Sequence, residues 1–392
     1  MPAVCLILKI HEPHRLRHYS FFDIGASSTY VDEAATRAHL EIITTQCYLP
    51  ATQILLKQIQ AHKGAFRLSV LLSGVTLSLF EHFQPELLAQ FQLLANTGCV
   101  EFIGESYFHS LSHLFSKPEF RQQLDLHRTK LKVLFGKSPD TFHCHAANFN
   151  NDLAMEADAF GFNVMLSRGI DRILEGRPLN REYQFDSCPK LRILFENPLL
   201  NDHLARLVSA SNPLKPELTT SRFMTHLIHK EGEVITLPVN LQPFADMPQE
   251  ESGLLEFLKQ FPGAMLAFKG FTFDTPGQIS KSVPPCASMS TPGFASAAET
   301  ELETREWMGN EMQNDAIQGL YLLEREVKTH PDPAILLSWR QLQVSDHFKY
   351  MDTRQLTEDT QGAASNPYHS PYDAYINYMN ILTDFSERLA VR

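Results

Sequence analysis

The sequence predicts an α/β barrel followed by a helical region. Apolar strand-like runs alternate with amphipathic helical segments over residues 1–271, which implies parallel strands covered by helices. The alternation is long enough to favour a closed or nearly closed barrel over an open sheet. Beyond residue 300 the apolar residues recur at the spacing of long helices.

The first predicted strand, residues 4–10, is apolar almost throughout, as expected for a strand buried on both faces. Further short β-branched or apolar runs predict strands at residues 66–72, 100–103, 141–145, 164–166, 192–195, 234–238 and 265–268. Amphipathic spacing predicts helices at residues 34–59, with an interruption near Pro50, and at residues 83–96, 119–135, 154–162 and 254–260.

Three domains follow from this pattern. Residues 1–271 form the barrel. Residues 272–300, rich in Ser, Pro, Ala and Gly and without periodicity, are predicted to be a mobile loop or linker. Residues 301–392 form the helical region, with helices predicted at 301–327, 333–351 and 371–389.

Composition excludes several classes of function. The chain has 392 residues, of which 43% are hydrophobic, and a net charge of -11, which argues against a nucleic-acid or anionic-membrane partner. No apolar run reaches the roughly 18 residues that span a membrane. The apolar N-terminal run lacks the basic segment of a secretion signal, and the six cysteines show no CxxC spacing. These features predict a cytoplasmic protein, and a neutral carbohydrate is a compatible partner.

Polar residues follow several predicted strands. His11 and Glu12 come directly after the first strand, and Glu105 and His109 follow the third. Because the carboxyl ends of barrel strands meet at one face of the barrel, we expect these side chains to line a cleft there.

The strand predicted at 141–145 has the position of an active-site strand but carries no carboxylate. Its end reads His143, Cys144, His145, Ala146. Alternation along a strand would send His143 and His145 to one face and Cys144 to the other, so we expect one histidine to be hydrogen-bonded in the pocket and no metal or other cofactor. A metal-dependent hydrolase, with His11, His109 and His143 converging on an ion, is an alternative.

Asp346 and His347 lie within a predicted apolar helix of the C-terminal region. They have two readings, a solvated helix face or a polar finger inserted into the barrel mouth.

Several motifs occur together in a fixed order. They are HEP at 11–13 with FFDIG at 21–25, CYLP at 47–50, GCVEFIGE at 98–105, FNND at 149–152, WMGN at 307–310, LQVSDHF at 342–348, and NPY at 366–368 leading to YMN at 378–380. In this order the chain resembles glycoside hydrolase family 57, in its α-amylase-like branch, along nearly its whole length.

The resemblance implies an incomplete (β/α)7 TIM-like barrel with a C-terminal helical bundle beside its mouth. It also implies ancestry among retaining enzymes that cleave α-glucans without a metal, using a Glu nucleophile and an Asp acid/base. Registering the chain on FNND places the nucleophile position at Ala146. Registering it on residues 253–258 (GLLEFL) places the acid/base position at about Asn240, or at Val239 if a gap is allowed.

We therefore expect a family member that lacks hydrolase activity and keeps a role in binding α-glucan or oligosaccharide, or in regulating carbohydrate metabolism. The surviving site would comprise His11, Glu12, Glu105, His109, His145, Asp346 and His347 around Ala146 and Asn240. The alternative is an active retaining hydrolase or transglycosylase with relocated carboxylates, drawn from Glu12, Glu105, Asp246 and Asp346. No protein partner is indicated by the sequence.

Overall fold

The structure is a computed structural model. It describes residues 2–144, 150–169, 171–209, 216–242, 253–268, 270–290, 304–356 and 366–390. Within these ranges no helix is long and apolar enough to cross a membrane.

The strands, in chain order, are β1 (Ala3–Ile10), β2 (Leu68–Leu72), β3 (Val100–Ile103), β4 (Thr141–His143), β5 (Val164–Arg168), β6 (Glu182–Phe185), β7 (Arg192–Glu196), β8 (Val234–Asn240), β9 (Thr272–Phe273) and β10 (Ala287–Met289). Seven of them, β1, β2, β3, β4, β5, β7 and β8, follow one another in parallel around a nearly closed barrel. The ring is completed by two single residue pairs, Gly104 with Phe142 and Glu196 with Thr236. The predicted barrel is therefore confirmed.

The remaining strands extend this sheet at its margins. β6 is antiparallel to β7, β10 pairs with β6, and β9 pairs with the start of β1. In β1 seven of eight residues are buried, as expected for a strand with barrel interior on one face and helices on the other.

The helices are α1 (Glu33–Ile43), α2 (Leu49–Ala61), α3 (Gly74–Phe83), α4 (Pro85–Asn96), α5 (Ser112–Phe115), α6 (Lys117–Phe135), α7 (Asn151–Phe160), α8 (Asp171–Leu174), α9 (Pro198–Ser209), α10 (Pro216–Ile228), α11 (Leu254–Ala267), α12 (Pro276–Ser282), α13 (Glu311–Leu322), α14 (Glu324–Thr329), α15 (Pro333–Leu342), α16 (Asp346–Lys349) and α17 (Pro371–Ala390). A π-helical turn, Thr44–Tyr48, joins α1 to α2 and accounts for the predicted interruption.

The helical region has its own apolar core, centred on Trp339, Tyr378 and Phe385. It is tied to the barrel by a buried ion cluster. Glu119 on α6 is fully buried and accepts hydrogen bonds from Arg340, at 2.8 and 3.2 Å, and from Lys328. This anchorage fixes the segment that follows α15, which carries Asp346 to the barrel mouth.

Four predictions of secondary structure need correction. Residues 265–267 are the last turn of α11 rather than a strand, because the apolar run of that helix continues through them. Residues 272–289, predicted as a loop, contain β9, α12 and β10, and the two strands pair with the barrel sheet. The helix predicted over 301–327 is divided at Leu323 between α13 and α14. The helix predicted over 333–351 breaks after Leu342 into α15 and α16. The domain boundaries at 271 and 300 stay predictions.

Candidate functional site

A cleft of about 380 Å³ opens between the carboxyl ends of the strands and the helical region. This volume lies within the roughly 300–1,000 Å³ typical of small-molecule sites. Its polar lining includes two groups of charged side chains. We call His11, Glu105, His109 and Asp346, together with Ser73, which lies behind His11, the histidine cluster, and Lys9, His143 and Glu196 the lysine cluster.

In the histidine cluster, His11 connects the barrel to the helical region. Its Nδ1 lies 2.7 Å from Ser73 Oγ, and its Nε2 lies 2.8 Å from Asp346 Oδ2. Burial alone would lower the pKa of His11, but the charge and hydrogen bond of Asp346 outweigh burial and raise it. Burial opposes ionisation of Asp346 as well, yet His11 holds the pKa of this carboxyl below its ordinary value. The two side chains form an ion pair across the mouth.

The ring of His109 stacks on His11, with ring centroids 3.8 Å apart and planes 18° from parallel. His109 Nδ1 donates to Glu105 Oε2 at 2.7 Å. Although burial would raise the pKa of Glu105, His109 and its hydrogen bond bring it to about 2. Burial, together with the charge of His11, lowers the pKa of His109. Glu105 is therefore an ionised carboxylate that accepts a hydrogen bond from His109.

The backbone around Glu105 and His109 is strained, and hydrogen bonds to neighbouring residues hold it in place. His109 has φ of +50°, a left-handed conformation that a non-glycine residue adopts at a cost of about 1–3 kcal/mol. The Glu105 N–H donates to His127 Nδ1 at 3.0 Å, and His127 Nε2 donates to the Leu72 carbonyl at 2.8 Å. His127 is therefore neutral and fixes the end of β3 against the end of β2. Such strain persists where the surrounding structure over-determines it, which is common at functional sites.

The lysine cluster lies at the ends of β1, β4 and β7. Lys9 Nζ on β1 lies 2.6 Å from Glu196 Oε1 on β7 and 3.0 Å from His143 Nε2 on β4. The same Glu196 oxygen is 3.5 Å from His143 Nε2. Burial would raise the pKa of Glu196, but the charge of Lys9 outweighs burial and brings it to about 2. This carboxylate is thus ionised and paired.

Sequence reasoning missed Lys9 and Glu196, and also Arg168, which lies opposite Glu196 in the pairing of β5 with β7 and lines the cleft. Two signals were available in the sequence. Lys9 is the single charged residue in an apolar run, and Glu196 follows a predicted strand directly.

The structure brings some of the predicted site residues together. His11, Glu105, His109, Asn240 and Asp346 line the cleft, and the polar-finger reading of Asp346 is the one observed. Asn240 ends β8 directly opposite Lys9. His145, Ala146 and Asp246 lie outside the described residues.

Two predicted residues do not line the cleft. Glu12 is buried behind the mouth, where its carboxylate accepts a hydrogen bond from the Tyr48 hydroxyl and lies 3.3 Å from His39 Nε2, because it leaves the end of β1 in the opposite direction from His11. His347 follows Asp346 on a helix and therefore points in a different direction. Its ring is buried in the core of the helical region beside Tyr378.

The strand predicted at 141–145 ends at His143. Because Cys144 lies beyond the strand, the expected alternation does not separate it from His143, and both line the cleft. His143 is the hydrogen-bonded histidine that the sequence led us to expect.

The residues that the structure describes contain no group of three His, Cys, Asp or Glu side chains arranged to hold a metal ion. The rings of His11 and His109 are stacked nearly parallel, so their nitrogens do not point toward a common centre. Both His11 nitrogens are also within hydrogen-bond distance of other side chains, Ser73 and Asp346. The convergence of His11, His109 and His143 that a metal-dependent hydrolase would require is not observed.

Comparison with known proteins gives a consistent result. A sequence model described as "Glycosyl hydrolase family 57" matches residues 5–291. A candidate α-amylase from Methanocaldococcus jannaschii is 27% identical over 393 residues, covering 96% of this chain and 82% of the relative.

Solved structures share the fold at low identity. A branching enzyme from Thermococcus kodakaraensis, solved with glucose, superposes with a TM-score of 0.72 at 12% identity, over 99% of this chain and 90% of that one. For a 4-α-glucanotransferase from Thermococcus litoralis the TM-score is 0.65 at 13% identity, and the match covers 88% of this chain but only 56% of the transferase.

Proposed function

The chain belongs to glycosyl hydrolase family 57, and from this premise we propose that its cleft binds α-glucan chains without hydrolysing them. The observation that carries the proposal is electrostatic. The three least exposed carboxylates among the described cleft residues are Glu105, Glu196 and Asp346, and each is paired with a cation or a histidine and has a lowered pKa.

Retaining glycoside hydrolysis needs two carboxyl groups in different states. One must be ionised to attack the sugar, and the other must be protonated to donate to the leaving oxygen, at a separation of about 5–5.5 Å. A general acid works best when its pKa is near the working pH. The pKa values of Glu105 and Glu196 are about 2, and that of Asp346 is also lowered, so none of these three carboxyls is protonated at neutral pH.

The sequence after β4 supports the same proposal. Residues 144–151 read CHAANFNN, so no carboxylate occurs at or beside Ala146, the nucleophile position that the family register assigns. The first acid is Asp152, whose side chain is 65% exposed and lies 3.6 Å from Lys117 Nζ. Asn240, at the acid/base position, can donate a hydrogen bond but cannot deliver a proton.

Binding is supported by the hydrogen-bonding groups that remain. Glu105 Oε1 is buried and finds no hydrogen-bond partner among the described residues, so it is an acceptor for a ligand hydroxyl. The cleft is bordered by Trp307 and by the stacked histidines, which give a neutral sugar ring apolar faces to contact.

The test measures binding and turnover on the same preparations. We expect maltoheptaose to bind the wild type in calorimetry, with no release of reducing ends after prolonged incubation. Glu105→Gln should weaken binding at least tenfold. Phe22→Ser, at a side chain that is 91% exposed and does not line the cleft, is the matched control and should leave binding unchanged.

Two results would contradict the proposal. Absence of binding to maltoheptaose, amylose and glycogen would remove the binding function. Turnover by the wild type that disappears in Glu105→Gln or Asp346→Asn would instead establish an active enzyme with relocated carboxylates. The double variant Ala146→Glu with Asn240→Asp should gain partial turnover if the family register is correct.

A further inference from the structure

We propose that Lys9 determines which sugars the cleft accepts. Its ammonium is a built-in cation, that is, a positive charge of the protein itself that is already paired with Glu196. The lysine cluster therefore binds uncharged sugar rings and excludes cationic ones. This inference rests on the proposed function, because it concerns the ligand of the same cleft. It adds that the charge of Lys9 selects among sugars.

The geometry of the lysine cluster is that of an occupied cation site. Glu196 is the buried carboxylate at the end of β7, and a positively charged group stands 2.6 Å from its Oε1. That group is the ammonium of Lys9, delivered by β1 and 22% exposed in its side chain, whereas the Glu196 side chain is 10% exposed. A cationic ligand that sought this carboxylate would meet an ammonium already in place.

Displacing Lys9 would be costly. Its ammonium would leave a partner at salt-bridge distance, and an uncompensated charge in a partly buried site is strongly unfavourable. A second cation, Arg168, lies opposite Glu196 on the neighbouring strand. A cationic ligand therefore faces repulsion from both groups, which is the usual way in which a site rejects a wrong partner.

An uncharged hydroxyl group meets no such obstacle. An ammonium has three N–H donors. Lys9 donates one to His143 Nε2 and lies at ion-pair distance from Glu196 Oε1, so at least one donor remains for a ligand oxygen. Glu196 keeps lone pairs that can accept from a ligand hydroxyl. A sugar hydroxyl both accepts and donates, so it can bridge Lys9 and Glu196 without breaking their pair.

His143 orients the ammonium of Lys9. Because the ammonium can only donate, His143 Nε2 accepts one of its protons, at 3.0 Å. The cluster therefore offers a donor from Lys9 and an acceptor from Glu196, a set that suits a ring with neighbouring hydroxyl groups.

The experiment compares two glucose analogues that have similar shapes and different charges. D-Gluconolactam is neutral, and 1-deoxynojirimycin is a weakly basic amine that is a cation at pH 5.5. Calorimetry at pH 5.5, where Glu196 is still ionised, should show that the wild type binds the lactam at least tenfold more tightly than the iminosugar. Lys9→Met should reverse this order, because Glu196 is then free to pair with the ligand cation.

The matched control is Lys349→Met. Lys349 also lines the cleft but is 49% exposed in its side chain and lies 3.6 Å from Glu306 rather than beside Glu196, so the wild-type preference should persist. Lys9→Gln serves as a second variant if Lys9→Met does not fold, and circular dichroism verifies the fold of each.

The inference is overturned if the wild type binds the iminosugar as tightly as the lactam, a result that needs no variant. It is also overturned if a folded Lys9 variant keeps the wild-type order. Failure of the proposed function looks different. In that case the wild type binds neither maltoheptaose nor the lactam. If the Lys9 variants then bind the iminosugar and the wild type does not, Lys9 is still established as the built-in cation.

Discussion

The ion pair between His11 and Asp346 should make the stability of the helical region depend on pH in a defined direction. The perturbation is Asp346→Asn, which removes the negative charge and keeps the size of the side chain. The His11 Nε2 to Asp346 Oδ2 distance is 2.8 Å, and the two side chains are 12% and 13% exposed. Removing one partner of a buried pair costs about 3–5 kcal/mol, and partial exposure places this pair near the lower limit, at about 3 kcal/mol.

The sign follows from the two pKa shifts. The pKa of His11 is raised, so its contribution to stability is complete below about pH 6.5, its ordinary value, and is lost as pH rises through the raised value. The pKa of Asp346 is lowered, so its contribution is present above about pH 4 and is lost only in acid. The penalty of Asp346→Asn should therefore be largest near pH 5.5–6.5 and should shrink toward pH 9, where Asn can still accept a hydrogen bond from neutral His11.

Urea unfolding followed by tryptophan fluorescence is a suitable assay, because both tryptophans, Trp307 and Trp339, lie in the helical region. The matched control is Asp352→Asn. Asp352 is also a buried aspartate of this region, but it pairs with Arg354, which does not titrate in this range, so its penalty should be constant. A penalty for Asp346→Asn that is equal at pH 6 and pH 9, or larger at pH 9, would refute the reasoning.

Three further substitutions test the packing that positions the cleft. Glu119→Gln should lower the free energy of unfolding by about 3–5 kcal/mol in urea titrations, because it leaves Arg340 without its buried carboxylate, and a loss below 1 kcal/mol would contradict this role. Gly74→Ala should cost about 1–3 kcal/mol by the same measure, because an added Cβ would lie 2.3 Å from the ring of Tyr107, and an unchanged midpoint would show that the ring moves freely. Phe22→Ser should change stability by less than about 0.5 kcal/mol in thermal unfolding, and a larger loss would mean that this exposed ring is covered in solution.

The sequence by itself determined the architecture and the family. Period-2 and period-3.6 patterns along residues 1–271 specify local structure, and their alternation leaves parallel pairing as the arrangement that buries every strand. The motif order gave the family. The absence of a carboxylate near Ala146 is also a property of the chain alone, and it needs no coordinates.

Only the tertiary structure decided which charges meet. Lys9, His143 and Glu196 are far apart in the chain, and they come together because the barrel brings β1, β4 and β7 to one mouth. Neither the stacking of His11 on His109 nor the insertion of Asp346 between the two regions has a local signature. The physical reason is that a pKa and an ion pair depend on burial and on distances of a few ångströms, whereas sequence patterns report only periodicity along the chain.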